Sequence, residues 1–456
     1  MPLRDWLAVF VIGLGTAVIP LDSAVNIAFP DITGSFGIAM QEIQWVIIAY
    51  VLTHTSLMLF CGRMGDRFGR RLIFGIGLAW SALAFIGLTL APTFELLLLA
   101  RAAQGVGAAL IGSCGPALIT SLAPEDRRAR MLGLYMLMFG AGAALGPLVG
   151  GTLVDTFGWP AVYGMRIPLC VIALIFVWTL PGKDRQPAWR AGTSMNAKGA
   201  FLLVGVMAAF LLMVNRMQVA ADQLLVPMSA GGGLVLALVM FLRNEAQTSA
   251  PIVPLHLFRR PAFSGMIVAT MIVAFAGFSV MLIVPYFLAR LTVLPWGVAG
   301  LVLACSPIGQ TAVSGIAGRL IEAWGARTTA LAAAAMTAAG LAGVGLWPSY
   351  PSILFMAVPL FIAGAGMGLF QVASMDVVTG SMSVAERGVA GSLSQTARTV
   401  GVMTAASLLS LAFASFSGGT SATDASFHEA FGWVFLSVAL LPTLVACWLV
   451  WGGRTR

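Results

Sequence analysis

The residues of this chain that could do chemistry are a few charged side chains inside long apolar runs. Asp22, Arg101 and Arg166 each lie about six to eight residues from one end of such a run, which is a depth of about 9 to 12 Å in a helix. If these runs span a membrane, a buried ionisable group indicates function by default. A carboxylate beside cations can exchange a proton when its surroundings change. These residues therefore predict proton exchange or charge pairing.

The composition shows why such charges are exceptional in this chain. Of its 456 residues, 59% are hydrophobic and only 9% are charged, whereas soluble domains carry about 25% charged residues. An ordinary soluble fold is therefore excluded, and the sequence predicts an all-α integral membrane protein. The net charge of +8 is read as a signal of loop orientation and not of nucleic-acid binding.

Fourteen apolar runs are long enough to span a membrane, which takes about 20 residues. The seventh and eighth are the weakest predictions, because one is short and the other contains three consecutive glycines. The runs lie near 6–28, 43–61, 72–91, 94–118, 130–153, 160–180, 199–214, 225–242, 263–288, 297–317, 328–346, 353–378, 388–415 and 430–451.

Lysine and arginine positions orient these spans. With the N-terminus in the cytoplasm, 20 of the 25 cations fall in inner loops and only Arg216 and Arg290 in outer loops. Cytoplasmic loops carry the excess of positive charge in membrane proteins. We therefore expect a multi-pass protein of the inner (plasma) membrane with both termini in the cytoplasm.

An internal repeat predicts the architecture. Residues 62–71 and 318–327 both fit the pattern Gly-Arg-x-x-acid-x-aromatic-Gly-x-Arg, at an offset of 318 − 62 = 256 residues and eight spans. Two related halves of six spans, separated by two extra spans, satisfy this offset. The predicted domains are a six-helix bundle at 1–180, linkers and two accessory helices at 181–262, and a second six-helix bundle at 263–456. Such repeats are typical of secondary transporters.

The order of the motifs is similar to that of the major facilitator superfamily, and more closely to its fourteen-helix drug:proton antiporter branch. The matching segments are Leu-Asp-Ser-Ala-Val-Asn-Ile-Ala-Phe-Pro at 21–30, the loop at 62–71, Arg-Ala-Ala-Gln-Gly-Val-Gly at 101–107, the glycine pattern at 133–151 and the segment 254–263. The resemblance covers nearly the whole chain. It implies two rocking six-helix bundles that export small amphipathic organic compounds in exchange for protons, as in multidrug efflux.

The resemblance also implies residues that control the conformational change. Acidic and basic residues of the inner loops would lock the cytoplasmic faces, and the glycine–proline pattern would seal the outer side. Orientation alone also requires basic inner loops, and membrane helices often pack through glycines, so both alternatives stay open. The residues are Gly62, Asp66, Arg67, Gly69, Arg70, Arg127, Arg130, Gly142, Gly146, Pro147, Gly150 and Gly151.

Proton coupling is predicted for Asp22, with Arg101 tuning it. The alternative is a static ion pair that holds helices together. His54 could relay protons or form a neutral hydrogen bond, and Asp376 could couple or be solvated near the inner surface. Further residues are expected to line the substrate cavity, namely Asn26, Tyr50, Gln104 and Arg398.

Arg166 departs from the related branch, which usually has asparagine at this place. An added cation could favour an anionic or zwitterionic substrate, or it could neutralise Asp22 or Asp155. The sixth span is expected to be peripheral, which favours the structural interpretation.

Other functions have less support in the sequence. No lysine follows glycine and precedes serine or threonine, so a phosphate-binding loop of the Walker A type is absent. Neither a metal cluster nor a nucleophile with its base is evident, so no enzyme activity, cofactor or metal is expected. The remaining alternatives are a dedicated exporter of an endogenous metabolite, for example an anionic one, and a non-transporting receptor or scaffold. The expected partners are a small-molecule substrate, protons and the lipid bilayer, with no nucleic acid, and the protein is expected to be a monomer.

Overall fold

The computed structural model describes residues 3–122, 128–179, 197–217, 225–248, 255–349, 351–380, 387–417 and 423–451, and in these ranges the chain is helical without β-strands. The first nine α-helices are α1 Leu3–Ala17, α2 Ala24–Ile27, α3 Phe29–Phe36, α4 Gln44–Phe68, α5 Arg70–Thr89, α6 Phe94–Leu122, α7 Arg128–Phe157, α8 Pro160–Gly164 and α9 Arg166–Val177. The others are α10 Ala197–Met217, α11 Leu225–Gln247, α12 Pro261–Leu291, α13 Trp296–Ser314, α14 Ala317–Trp324, α15 Ala326–Gly345, α16 Ile353–Gly380, α17 Arg387–Ser417 and α18 Asp424–Trp451.

Eleven segments of the described chain are long and apolar enough to cross a membrane. The number rises to 12 if the sharply bent pair Phe29–Phe36 and Met40–Met58 counts as one span. The prediction of an all-α multi-pass membrane protein is thereby confirmed, whereas the number fourteen is not. The predicted seventh and eighth spans correspond to α10 and α11, which pack on each other but are not among the eleven.

The first span is interrupted near its C-terminal end. Helix α1 ends at Ala17, a 3-10 turn covers Pro20–Ser23, and α2 then begins at Ala24. Pro20 has no backbone N–H and so cannot continue the α-helical hydrogen-bond ladder. Asp22 therefore lies in a non-α-helical turn within an otherwise apolar span.

The two copies of the sequence repeat form the same backbone turn. Gly69 precedes α5 with φ of +100°, and Gly325 precedes α15 with φ of +80°. Residues with a β-carbon are strained in this region, which explains the glycine at both places. The copies differ before the turn, because α4 runs unbroken to Phe68 whereas α13 and α14 are separate helices.

The chain forms two compact units, each built from segments that are distant in sequence. Unit 1 comprises Met1–Val25, Trp45–Gly146 and Thr156–Ile252, and unit 2 comprises Asn26–Gln44, Pro147–Asp155 and Val253–Arg456. Each unit has its own apolar core, around Phe74 and Ile111 in unit 1 and around Phe370 and Met266 in unit 2. Helix α7 contributes residues to both units. The domain boundaries drawn from the sequence stay a prediction.

Candidate functional site

Asp22 is the centre of a buried charge cluster in unit 1. Arg101 of α6 binds it with two parallel hydrogen bonds, from Nη1 to Oδ1 at 2.7 Å and from Nη2 to Oδ2 at 2.9 Å. Gln104, one turn further along α6, donates to Oδ1 at 3.0 Å. A bidentate arginine–carboxylate pair is strong and directional. The motif at 101–107 thus brings together three of the predicted site residues.

Arg166 completes the cluster from the start of α9. Its Nη1 donates to Oδ1 of Asp22 at 2.7 Å, and its side chain is fully buried. The guanidinium also lies over the rings of Phe85 and Tyr163, at 5.1 and 5.6 Å from their centroids. The sequence left open whether Arg166 neutralises Asp22 or Asp155. The structure shows that it pairs with Asp22. With Asp22 ionised, this group of three side chains carries a net charge of +1.

Several buried polar atoms around this cluster have no hydrogen-bond partner within the described part of the chain. They are Nε and Nη2 of Arg166, the hydroxyl of Tyr163 and Nε2 of His54. Buried polar groups are normally hydrogen-bonded, and an unsatisfied one calls for an explanation such as bound water or a ligand. Hydrogen-bonding capacity is therefore available beside the ion pairs.

Helix α4 covers the cluster with an aromatic surface. Arg101 donates from Nε to the carbonyl oxygen of Val46 at 2.9 Å and lies over the ring of Tyr50, 4.7 Å from its centroid. His54 stacks on Tyr50 with a centroid distance of 5.7 Å. Tyr50 and His54 are one turn apart on one face of α4, as the sequence indicated, so both predicted residues lie beside the charge cluster.

Glycines of α7 allow the interrupted segment of the first span to approach closely. A β-carbon at Gly142 would lie 2.9 Å from the carbonyl oxygen of Ala17, and one at Gly146 would lie 2.9 Å from the backbone nitrogen of Ala24 and collide with Ser23. The hydroxyl of Ser23 also donates to the carbonyl oxygen of Ala143 at 2.9 Å. The first part of the glycine pattern therefore positions the turn that carries Asp22.

The C-terminal part of α7 makes a different contact, within unit 2. Gly151 and Gly300 lie where α7 crosses α13, and a β-carbon on either would collide with backbone of the other helix. Asp155 accepts hydrogen bonds from the backbone N–H groups of Trp296 at 3.0 Å and Gly297 at 2.8 Å. A carboxylate at a helix N-terminus is favoured by the free N–H groups and by the helix dipole. Sequence reasoning did not assign this role to Asp155, and the only hint was Pro295 at the start of a helix.

Asp155→Asn is expected to weaken this contact, because the charge that favours the N-terminus of α13 is lost. The hydroxyl groups of Thr33 in α3 and Tyr286 in α12 form another polar contact of unit 2, at 2.8 Å. We expect a cysteine at Thr33, with the five native cysteines replaced by alanine, to react several-fold faster with a membrane-impermeant maleimide in Asp155→Asn.

The matched control is Asp424→Asn, because Asp424 is exposed and pairs with Arg290. Its labelling rate should stay that of the parent. Equal rates in Asp155→Asn and the parent would show that the carboxylate does not hold the contact closed.

The remaining predicted residues are dispersed. Asn26 is half-buried in α2, Arg398 is half-buried in α17, and Asp376 is exposed near the end of α16. No ion pair joins Asp376 to Arg398 among the described residues.

Of the residues predicted to control the conformational change, Gly69 forms the turn before α5. Gly62 lies opposite Ser113, Arg67 lies over the ring of Phe68, Arg70 begins α5, and Gly150 is buried. Arg127 lies outside the described residues, as do the side chains of Asp66 and Arg130. The inner lock predicted for these residues stays a prediction.

Apolar helices of this length with paired charges inside them define an integral membrane protein, and such charges are typical of transporters and pumps. The sequence model of the Major Facilitator Superfamily matches residues 6–297, more than half of the chain, and the chain belongs to this superfamily. Its members are multi-pass membrane transporters of small molecules rather than enzymes.

Curated relatives support the same assignment over nearly the whole length. The chain is 25% identical to the riboflavin transporter RibZ of Clostridioides difficile, covering 97% of both proteins. It is 28% identical to the multidrug resistance protein Stp of Mycobacterium tuberculosis, over 87% of this chain and 73% of the relative. It is 27% identical to the tetracenomycin C resistance and export protein of Streptomyces glaucescens, over 90% and 76% of the two chains.

Solved structures agree on the fold. A mutant of the nucleoside transporter NupG aligns with a TM-score of 0.70 at 11% identity, covering 98% of this chain and 99% of the other. A D-xylose–proton symporter aligns with a TM-score of 0.67 at 15% identity, covering 96% and 97%. Similarity at this level of identity shows the fold alone.

Proposed function

We propose that this protein is a proton-coupled antiporter that exports small amphipathic organic compounds across the inner membrane by alternating access. The observation that carries the proposal is the cluster around Asp22, in which one carboxylate binds two buried arginines and a glutamine. An intramembrane carboxylate is retained at a high cost and marks proton or substrate pathways. The proton gradient would supply the energy, with no cofactor and with one chain as the transporting unit.

The geometry suggests how protonation and conformation are linked. The two arginines are 2% and 0% exposed, whereas the side chain of Asp22 is 14% exposed. The carboxylate is therefore partly accessible, whereas both guanidinium groups are buried. A proton on Asp22 removes the charge that holds Arg101 and Arg166, so protonation and the closed cluster are competing states.

The 3-10 turn around Asp22 is suited to a change of conformation on protonation. Its position depends on Gly142 and Gly146 of α7, and α7 continues into the contact with α13 through Asp155. A shift of α7 would therefore move both the turn that carries Asp22 and the contact with α13. In this proposal the bundles at 1–180 and 263–456 rock against each other, with 181–262 as an accessory segment and both termini in the cytoplasm.

The names of several relatives support efflux. Stp is called a multidrug resistance protein, JefA of Mycobacterium tuberculosis a drug efflux pump, and the Streptomyces glaucescens relative an export protein for tetracenomycin C. RibZ is called a riboflavin transporter, and this similarity supports the second candidate, a dedicated transporter of one metabolite. A receptor that does not transport has no specific observation in its favour.

The proposal is tested with purified protein in proteoliposomes whose interior is acidic. We expect amphipathic fluorescent compounds to accumulate inside when the pH gradient is imposed and to leave when nigericin collapses it. Accumulation of several unrelated compounds supports multidrug efflux, and accumulation of one metabolite from the panel supports the second candidate. Equal uptake with and without the gradient would contradict proton coupling.

A further inference from the structure

Arg398 is an intramembrane cation to which the described chain supplies no counter-ion. It lies five residues inside the candidate span Leu393–Phe413, and its side chain is half-buried. It takes part in none of the ion pairs and side-chain hydrogen bonds of the described residues. Its nitrogens form no hydrogen bond with the described residues. They are also not among the fully buried polar atoms that lack a partner, so each retains some accessibility. A cation in this position is costly unless an anion reaches it.

The backbone beneath Arg398 is held firmly. Gly401, one turn further along α17, lies against α12, where an added β-carbon would collide with the carbonyl oxygen of Met271 and lie 3.1 Å from the nitrogen of Phe275. The helix therefore cannot rotate freely to carry the guanidinium away. The arginine is presented at a defined place by a rigid crossing within unit 2.

The charge on Arg398 is not balanced within the spans of its own unit. Among the described residues of unit 2, Arg398 is the one charged residue that lies at least five positions inside a candidate span and is not exposed. At this position an anionic group would meet favourable electrostatics and a cationic group unfavourable electrostatics.

We propose that the transported compounds are amphipathic organic anions and that the guanidinium of Arg398 binds their acidic group. This inference rests on the proposed function, because it names the substrate class of that transport. A guanidinium offers a planar pair of N–H donors that matches a carboxylate or a sulfonate. Export of an anion against inward protons also moves net positive charge inward, so an inside-negative potential would add to the pH gradient.

Two structural explanations for Arg398, an ion pair with Asp376 and a role in orienting the chain, are less consistent with these observations. Asp376, on the neighbouring helix α16, is exposed and forms no ion pair with it in the described part of the chain. A purely topological arginine belongs in a loop and not five residues inside an apolar segment. Binding of an anion explains both the depth of the cation and its accessibility.

The test uses three compounds with one aromatic scaffold and different charge: 2-naphthylacetate, 2-naphthylacetamide and (2-naphthylmethyl)trimethylammonium. Binding to the purified full chain in detergent is measured by equilibrium dialysis. We expect the acetate to bind most tightly and the ammonium least tightly. Arg398→Gln should weaken acetate binding about tenfold, the factor that corresponds to about 1.4 kcal/mol, and leave the amide unchanged. Arg398→Lys should retain most of the acetate affinity.

The amide reports whether a variant is still folded, because it shares the scaffold and lacks the charge. Arg259→Gln is the matched control, since Arg259 is exposed and lies outside the candidate spans; the acetate-to-amide affinity ratio should not change. The inference is overturned if the ammonium binds most tightly, if the wild type binds none of the three, or if Arg398→Gln keeps the parental affinity ratio.

The same compounds separate this inference from the proposed function. Uptake of cationic compounds only, driven by a pH gradient, would overturn the inference and leave proton-coupled export standing. Binding of naphthylacetate that depends on Arg398, with no compound moved by the pH gradient, would support the inference and contradict proton coupling. An inside-negative potential across right-side-out vesicles should accelerate the exit of naphthylacetate.

Discussion

Asp22→Asn is expected to abolish transport driven by a pH gradient and to lower the stability of the protein. The amide cannot carry the negative charge, so Arg101 and Arg166 are left as two buried cations that share a neutral partner. Removing one member of a buried ion pair costs about 3–5 kcal/mol. Stability is measured by thermal unfolding in detergent, and transport by the proteoliposome assay. The sequence alone suggested a folded but inactive variant, and the second arginine changes that expectation.

The double variant Asp22→Asn/Arg166→Asn separates the two effects. Removing Arg166 relieves the repulsion between unpaired cations, so the thermal stability should recover by about half or more relative to Asp22→Asn. Transport should not recover, because no proton-exchanging carboxylate is restored. Asp424→Asn, at an exposed ion pair, controls for the loss of any carboxylate and should behave as wild type. Recovery of pH-driven transport in the double variant would show that Asp22 is a static ion-pair partner.

Alanine at two glycines that lie at helix crossings is expected to have different effects on stability and on labelling. Gly364 lies where α16 crosses α13, and a β-carbon there would collide with Ser306. Both helices belong to the predicted bundle at 263–456, so this contact should persist throughout the transport cycle. Gly364→Ala should therefore destabilise the fold in every state, by about 1–3 kcal/mol, as measured by thermal unfolding.

Gly300→Ala places the same methyl group at the crossing of α13 with α7, against Pro147. If this crossing opens during transport, the protein can escape the clash by populating the open state. We expect a smaller loss of thermal stability than in Gly364→Ala and about tenfold faster maleimide labelling of Thr33→Cys.

Gly231→Ala is the matched control for both variants, because a β-carbon at this position of α11 would meet nothing within 4 Å. It should not lower stability, because alanine is favoured over glycine inside a helix, and it should leave labelling unchanged. If Gly300→Ala and Gly364→Ala lower stability equally and leave labelling unchanged, the crossing of α7 with α13 is a permanent contact and not part of a gate.

Helix α7 connects these two sets of predictions. Gly142 and Gly146 position the turn with Asp22, while Gly151 and Asp155 contact α13. A sequence pattern with one expected role, an outer seal, therefore takes part in two contacts about two helical turns apart. In the proposed mechanism, these contacts on one helix would link protonation of Asp22 to closure of the crossing between α7 and α13.

The sequence by itself determined the class of protein and the composition of the candidate site. Apolar runs of helical length with so few charges can only be buried in lipid, and the family motifs identified Asp22, Arg101 and Gln104. The similar depths predicted for Asp22, Arg101 and Arg166 from the rise of a helix agree with the contacts among them. The number of fourteen spans stays a prediction, because 11 or 12 candidate spans are found among the described residues.

Only the tertiary structure decided which of these charges meet. Rise along a helix predicts depth, but the direction in which a side chain points depends on how helices rotate and pack. Arg166 and Asp22 are 144 residues apart, and Asp155 and Trp296 are 141 apart. Pro20 accounts for the interruption of the first span, but the packing of the resulting turn against Gly142 and Gly146 of α7 is a tertiary contact. These contacts arise from packing between distant segments, and no local pattern in the sequence encodes them.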